Sequence, residues 1–127
     1  MMFPDYIDLY CERTALGFWN EPVNALSNAA FLIAAWFAWR LYLRRGSPDL
    51  LDLVLIILAA AIGVGSFLFH TFANGWSELA DVVPIWTFVA VFVLVTVHRL
   101  TGEKFWRTVR IAVIVAGSIA MVFWFTS

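Results

Sequence analysis

Four long apolar segments limit what this chain can fold into. They run from about Val23 to Leu43, Leu50 to Phe72, Ala80 to Leu100 and Arg107 to Ser127. Each is near the roughly 20 residues that a membrane-crossing helix needs. A bilayer core offers no water to backbone N–H and C=O groups, and a helix satisfies them within itself. Composition agrees, with 63% hydrophobic and 13% charged residues and a mean hydropathy of +0.87. Soluble domains average about half apolar and about a quarter charged. The expected fold class is all-α, a polytopic transmembrane helical bundle with residues 23–127 in the bilayer and an acidic segment, residues 1–22, ahead of it. Arg44-Arg45-Gly46-Ser47-Pro48 and Thr101-Gly102-Glu103 break the apolar runs, with glycine and proline placed to stop one helix before the next begins. Trp19, Trp76 and Trp106 stand near segment ends, where indole rings favour the interface.

Charge gives an orientation. Seven of the eight basic residues lie in or beside two connections: Arg40, Arg44 and Arg45 in one, and Arg99, Lys104, Arg107 and Arg110 in the other. The connection between the second and third spans carries Glu78 and Asp81 and no Lys or Arg. Basic loops stay in the cytoplasm, so the N-terminus is expected outside. The expected location is multi-pass, taken as a bacterial inner membrane. A net charge of -1 without a basic block gives no reason to expect a nucleic-acid partner. The single cysteine, Cys11, excludes an internal disulfide framework and a multi-cysteine zinc site. Residues 1–22 carry Asp5, Asp8, Glu12 and Glu21 against Arg13 alone, unlike the basic start and apolar core of a signal peptide.

A few polar residues interrupt the apolar runs. Gly63-Val64-Gly65-Ser66-Phe67-Leu68-Phe69-His70 precedes Asp81 by eleven residues, with Pro84 just beyond. A titratable imidazole at membrane depth is costly unless partnered. Ser66 and His70, four apart, share one helix face. Asn74-Gly75-Trp76 reads as a break and Pro84 as first-turn residue of a third helix, so that hydroxyl, imidazole and carboxylate meet where two helices join. Simpler readings stand beside this one. His70 could bond a neighbouring helix, Ser66 with Gly63 and Gly65 could be a close-packing surface, and Asp81 could be an N-cap. Asn24, Ser27 and Asn28 form a polar stripe suited to interhelical hydrogen bonds, His98 fits a solvated helix end, and Cys11 fits an inert thiol.

Two blocks together resemble the alkaline ceramidase family of seven-helix membrane hydrolases. The first is Asp8-Leu9-Tyr10-Cys11-Glu12 followed by Glu21-Pro22-Val23-Asn24-Ala25-Leu26-Ser27-Asn28, similar to the family's aspartate–aromatic–Cys–Glu opening and its Glu-x-x-Asn-x-x-Ser-Asn. The second is Gly63 to His70 with Asp81 and Pro84, similar to the family's Gly-x-Gly-Ser-x-x-x-His, then Asp and Pro. The resemblance implies cleavage of the amide bond of ceramide or a related N-acyl lipid by a zinc-bound water. It implies His70 as the first of three histidine zinc ligands, Ser66 as the hydroxyl that steadies the oxyanion, and Asp81 as the carboxylate beside the water. It also implies a calcium site from Asp8, Glu12 and Glu21, with Thr14 where a further ligand would fall. Oxygen donors of this kind suit a hard cation. The implied partners are a ceramide-like lipid amide and the surrounding membrane lipids.

The chain departs from the family pattern in four places. Two residues separate Asp8 from Cys11 where the family has one aromatic, and the interval from Glu12 to Glu21 is shorter. Val82 stands where a second acid is common, and the His-x-x-x-His pair of the family's last helix is absent. The chain therefore reads as four spans of an expected seven, holding one of three zinc ligands, with missing C-terminal helices needed to complete the site. Two other classes remain open at this level: a small four-helix transporter working as a dimer, and a non-enzymatic scaffold or receptor-like relative. Against the transporter, Ala29 to Trp39 holds no ionisable residue to couple ions.

Overall fold

The computed structural model describes residues 7–126. Asp5 and Ser127 lie outside the described residues. Helix follows helix: α1 (Pro22–Ser27), α2 (Ala29–Arg44), α3 (Leu50–Phe72), α4 (Gly75–Thr101) and α5 (Phe105–Thr126), with no strand among the described residues. Four stretches are long and apolar enough to cross a membrane: Pro22–Arg44, Leu50–Phe72, Gly75–Thr101 and Phe105–Trp124. Large apolar side chains such as Trp36, Phe37, Val64, Ile114 and Phe123 point outward. In water such a surface would be a liability, and lipid is the solvent that suits it.

Local chemistry explains the helix ends. Pro22 occupies the first turn of α1, where its missing N–H costs nothing. Asp49 caps α3, its side chain accepting from the Leu51 N–H at 2.9 Å. At the other end of α3, Ala73 takes the left-handed conformation that closes a helix, its N–H returning to the Phe69 carbonyl at 2.9 Å. Asn74 and Ser77 cap α4 reciprocally: Ser77 N–H donates to Asn74 Oδ1 at 3.2 Å, and Asn74 N–H donates to Ser77 Oγ at 3.0 Å.

That cap moves the start of the third span. Sequence spacing places it at about Ala80, with Pro84 in the first turn; the helix in fact begins at Gly75 and Pro84 lies inside it. Asn74 supplies both the stop of α3 and the start of α4, and Pro84 marks neither. Asp81 is therefore an interior residue of α4, and its reading as an N-cap falls. The first span differs too, because Asn28 interrupts it between α1 and α2. Asn28 Nδ2 and Ser27 Oγ both donate to the Asn24 carbonyl at 2.8 Å. Their bonds stay within the turn instead of crossing to another helix.

The described residues form two compact units that divide between Phe88 and Val89. In the first, α1 and α2 pack on α3. Gly63 makes part of this contact possible: a Cβ there would sit 3.0 Å from Leu32 Cγ and 3.2 Å from the Asn28 carbonyl. Ahead of α1, the segment from Ile7 is tied to the end of α3 by the Ile7 N–H donating to the Ala73 carbonyl at 2.8 Å. In the second unit the end of α4 turns into α5 through Gly102, at φ 66. His98 Nδ1 meets the Glu103 carbonyl at 2.5 Å in that turn.

Candidate functional site

The last two turns of α3 carry the site. Ser66 and His70 are 5% and 8% exposed, and Asp81 on α4 is 8% exposed. One turn, a rise of about 6 Å, separates Ser66 from His70. Ser66 Oγ donates to Asp81 Oδ1. Gly65 makes this possible, because α4 brings the Ala80 backbone against it where any Cβ would overlap the Ala80 carbonyl oxygen. Helices approach this closely only where one side chain is missing. Pro84 sits four residues after Ala80 and has no N–H to offer that carbonyl. The small-residue surface and the hydroxyl–carboxylate pair are thus one feature.

His70 belongs to a second pair. Its Nδ1 meets Glu21 Oε2 at 2.5 Å, so Nε2 is the ring nitrogen left to face a ligand. A metal-binding histidine usually gives its other nitrogen to a carboxylate in this way, which fixes tautomer and ring orientation. The Tyr10 ring stands edge-on to the imidazole with centroids 4.8 Å apart. Glu21 is itself 2% exposed. Burial pushes its carboxyl up, but Arg13, His70 and Asn24 together hold it below the ordinary carboxylate value.

Arg13 is the residue that sequence spacing did not single out. It is 4% exposed. Its Nε donates to Glu21 Oε1, Nη1 to the Gly17 carbonyl at 3.2 Å, and Nη2 to the His70 carbonyl at 2.8 Å. The last of these carbonyls lies in the final turn of α3, where intrahelical donors run out and a cation is welcome. As the sole basic residue in an otherwise acidic segment, beside Glu12, it carried a signal that periodicity does not weigh.

The expected metal ligands divide. His70 fits one position of a zinc site, through Nε2. No three His, Cys, Asp or Glu side chains converge on a metal position among the described residues. The residues named for calcium have other partners or stand exposed. Glu12 spends both carboxylate oxygens on α1, accepting from Val23 N–H at 2.7 Å and Asn24 N–H at 2.9 Å. Glu21 is occupied by Arg13, His70 and Asn24. Asp8 and Thr14 are exposed. His98 lies in the second unit, away from these groups in sequence and engaged at a helix end.

The arrangement is a buried hydroxyl–carboxylate pair and a buried imidazole–carboxylate pair, one helical turn apart in a chain suited to lipid. The sequence model of the family described as Ceramidase matches residues 9–127. No curated protein and no solved structure matches the chain. The match spans nearly all of the sequence, including both pairs, and the chain belongs to the ceramidase family.

Proposed function

We propose that this chain is part of an integral membrane hydrolase that cleaves the amide bond of ceramide or a related N-acyl lipid. In this reading His70 supplies one zinc ligand, and Ser66 and Asp81 act on water and substrate. The observation that supports it most is that α3 carries one member of each pair, Ser66 and His70, one turn apart. With Glu21 at Nδ1, Nε2 of His70 is the nitrogen that would face a metal, and Ser66 is carried one turn along the same face.

Zinc, when bound, would lower the pKa of a coordinated water to about 7 and so provide a nucleophile at neutral pH. In this reading Asp81 would take a proton from the water and return it to the departing amine, which leaves readily only when protonated. Ser66 donates to Asp81 at rest. Turned to substrate, the same O–H would meet the carbonyl oxygen as negative charge builds on it. Burial of both groups removes water that would compete for these bonds. Glu21 and Arg13 keep the imidazole in one orientation throughout.

An open zinc site needs about three protein ligands, so two ligands besides His70 would come from outside the described residues. The membrane placement that goes with this reading puts the acidic segment and the site on the outer side, with Arg44 and Arg45 in the cytoplasm. The direct test is hydrolysis of an N-acyl sphingoid lipid in mixed micelles, with metal content measured before and after chelation. Turnover that tracks zinc supports the reading. Turnover that persists in fully zinc-stripped protein, or zinc that binds without any effect of His70→Ala, rejects it.

A further inference from the structure

The acidic segment ahead of α1 has the donors of a hard-cation site, yet a side chain already sits among them. The Arg13 guanidinium touches the Glu21 carboxylate and the carbonyls of Gly17 and His70. A carboxylate and two backbone carbonyls are the oxygen types that a calcium ion gathers. Here the same three are gathered by a fork of N–H donors with a fixed positive charge. The second oxygen of Glu21 is taken by His70 Nδ1, with Asn24 Nδ2 at 3.4 Å. Glu12 is turned away to the N–H groups of Val23 and Asn24.

We propose that Arg13 is the resident cation of this site. It stands in for a metal ion, makes the segment independent of calcium, and acts as a positioning residue that orients His70 through Glu21. Two contacts reach the histidine from the one guanidinium: directly to its backbone carbonyl, and through Glu21 to its ring. Backbone and ring are therefore fixed against each other, which sets the direction of Nε2. A simple packing role for Arg13 would need neither contact. How Arg13 holds Glu21 and His70 does not depend on the hydrolase reading.

The experiment uses the full chain in detergent micelles, with no zinc and no lipid substrate, so the failure of either proposal is distinguishable from failure of the other. The first measurement needs no variant: thermal melting with about 1 mM calcium against a chelator. A site already filled by guanidinium predicts no shift, because a ligand stabilises only what it binds. The second is the long-range proton–nitrogen spectrum of the two imidazoles, with His98→Asn assigning the signals. In the wild type His70 should show a single tautomer protonated at Nδ1. Arg13→Gln, which keeps a polar side chain and loses the charge, should shift or broaden the His70 signals and leave those of His98 in place. Arg13→Lys, with charge but no fork, should fold and show a smaller change of the same kind. A rise of several degrees in wild-type melting temperature with calcium would overturn the proposal. So would a His70 spectrum that is unchanged in both Arg13→Lys and Arg13→Gln. Should Arg13→Gln fail to fold, the Arg13→Lys spectrum and the wild-type calcium comparison decide.

Discussion

Gly65 of α3 lies so close to the Ala80 carbonyl of α4 that a side chain at that position would overlap the oxygen. The next residue along each helix then forms the Ser66–Asp81 hydrogen bond. Gly65→Ala must push the helices apart. Overpacking of this kind costs about 1–3 kcal/mol, and here it also separates hydroxyl from carboxylate. At Gly117 of α5 a Cβ would meet nothing within 4 Å. Gly117→Ala should therefore be neutral, or stabilising by about 0.5–1 kcal/mol through helix propensity. Melting of the two variants in one detergent checks the contrast, and equal losses would show that the close approach is not a constraint.

Glu12 and Glu21 offer a second contrast. If both were ligands of one ion, their Gln variants would weaken the protein in the same calcium-dependent way. In the structure they do different work. Glu12 caps α1 from outside the helix, and losing a cap costs about 0.5–2 kcal/mol. Glu21 is the buried partner of Arg13 and His70. Breaking a buried pair from one side costs about 3–5 kcal/mol, since the other charge stays uncompensated. Denaturation with and without calcium should give Glu21→Gln the larger loss, with neither loss depending on calcium. Matching, calcium-dependent losses would restore the shared-ion reading.

The spans and half of the site were legible in the sequence. Apolar length alone sets a membrane helix, and a four-residue spacing alone puts Ser66 and His70 on one face. Asp81 was placed beside them by motif spacing, although the helix it belongs to starts earlier than Pro84 suggests. Proline is tolerated within α4 because α3 approaches at that level and Ala80 is pressed on Gly65, a tertiary fact with no local trace. Glu21 and His70 are 49 residues apart, and the guanidinium between them contributes to no periodicity. The calcium reading of the acidic segment came from the family resemblance, and the partners that the structure gives Glu12 and Glu21, a helix start and an ion pair, leave no trace in the local sequence.

Orientation makes a third prediction. Basic residues cluster in the connections around Arg44 and Lys104, so these should face the cytoplasm while Glu12 and Glu78 face outward. Single cysteines at positions 45 and 78, in a chain with Cys11→Ser, can be probed with an impermeant thiol reagent from outside intact cells. Labelling at 78 and protection at 45 is the expected result. The reverse pattern would turn the bundle over and put the site on the cytoplasmic side.

The last prediction joins metal to chemistry. One imidazole cannot hold an open zinc site that needs about three protein ligands, and the described residues bring no three ligating side chains together. The 127-residue chain alone is therefore expected to retain little zinc and to hydrolyse no lipid amide. A longer protein that adds a His-x-x-x-His pair on a further span should do both. Within that protein the three polar residues separate by what they lose. His70→Ala should lose zinc and activity together. Asp81→Asn should keep zinc and slow turnover by about 10²–10⁴-fold, the usual contribution of a general base. Ser66→Ala should keep zinc and cost about 10²–10³-fold, as one oxyanion donor does. Zinc analysis beside steady-state hydrolysis of a lipid amide reads all three. Full zinc and full activity in His70→Ala would leave α3 as a packing surface and remove the histidine from the reaction.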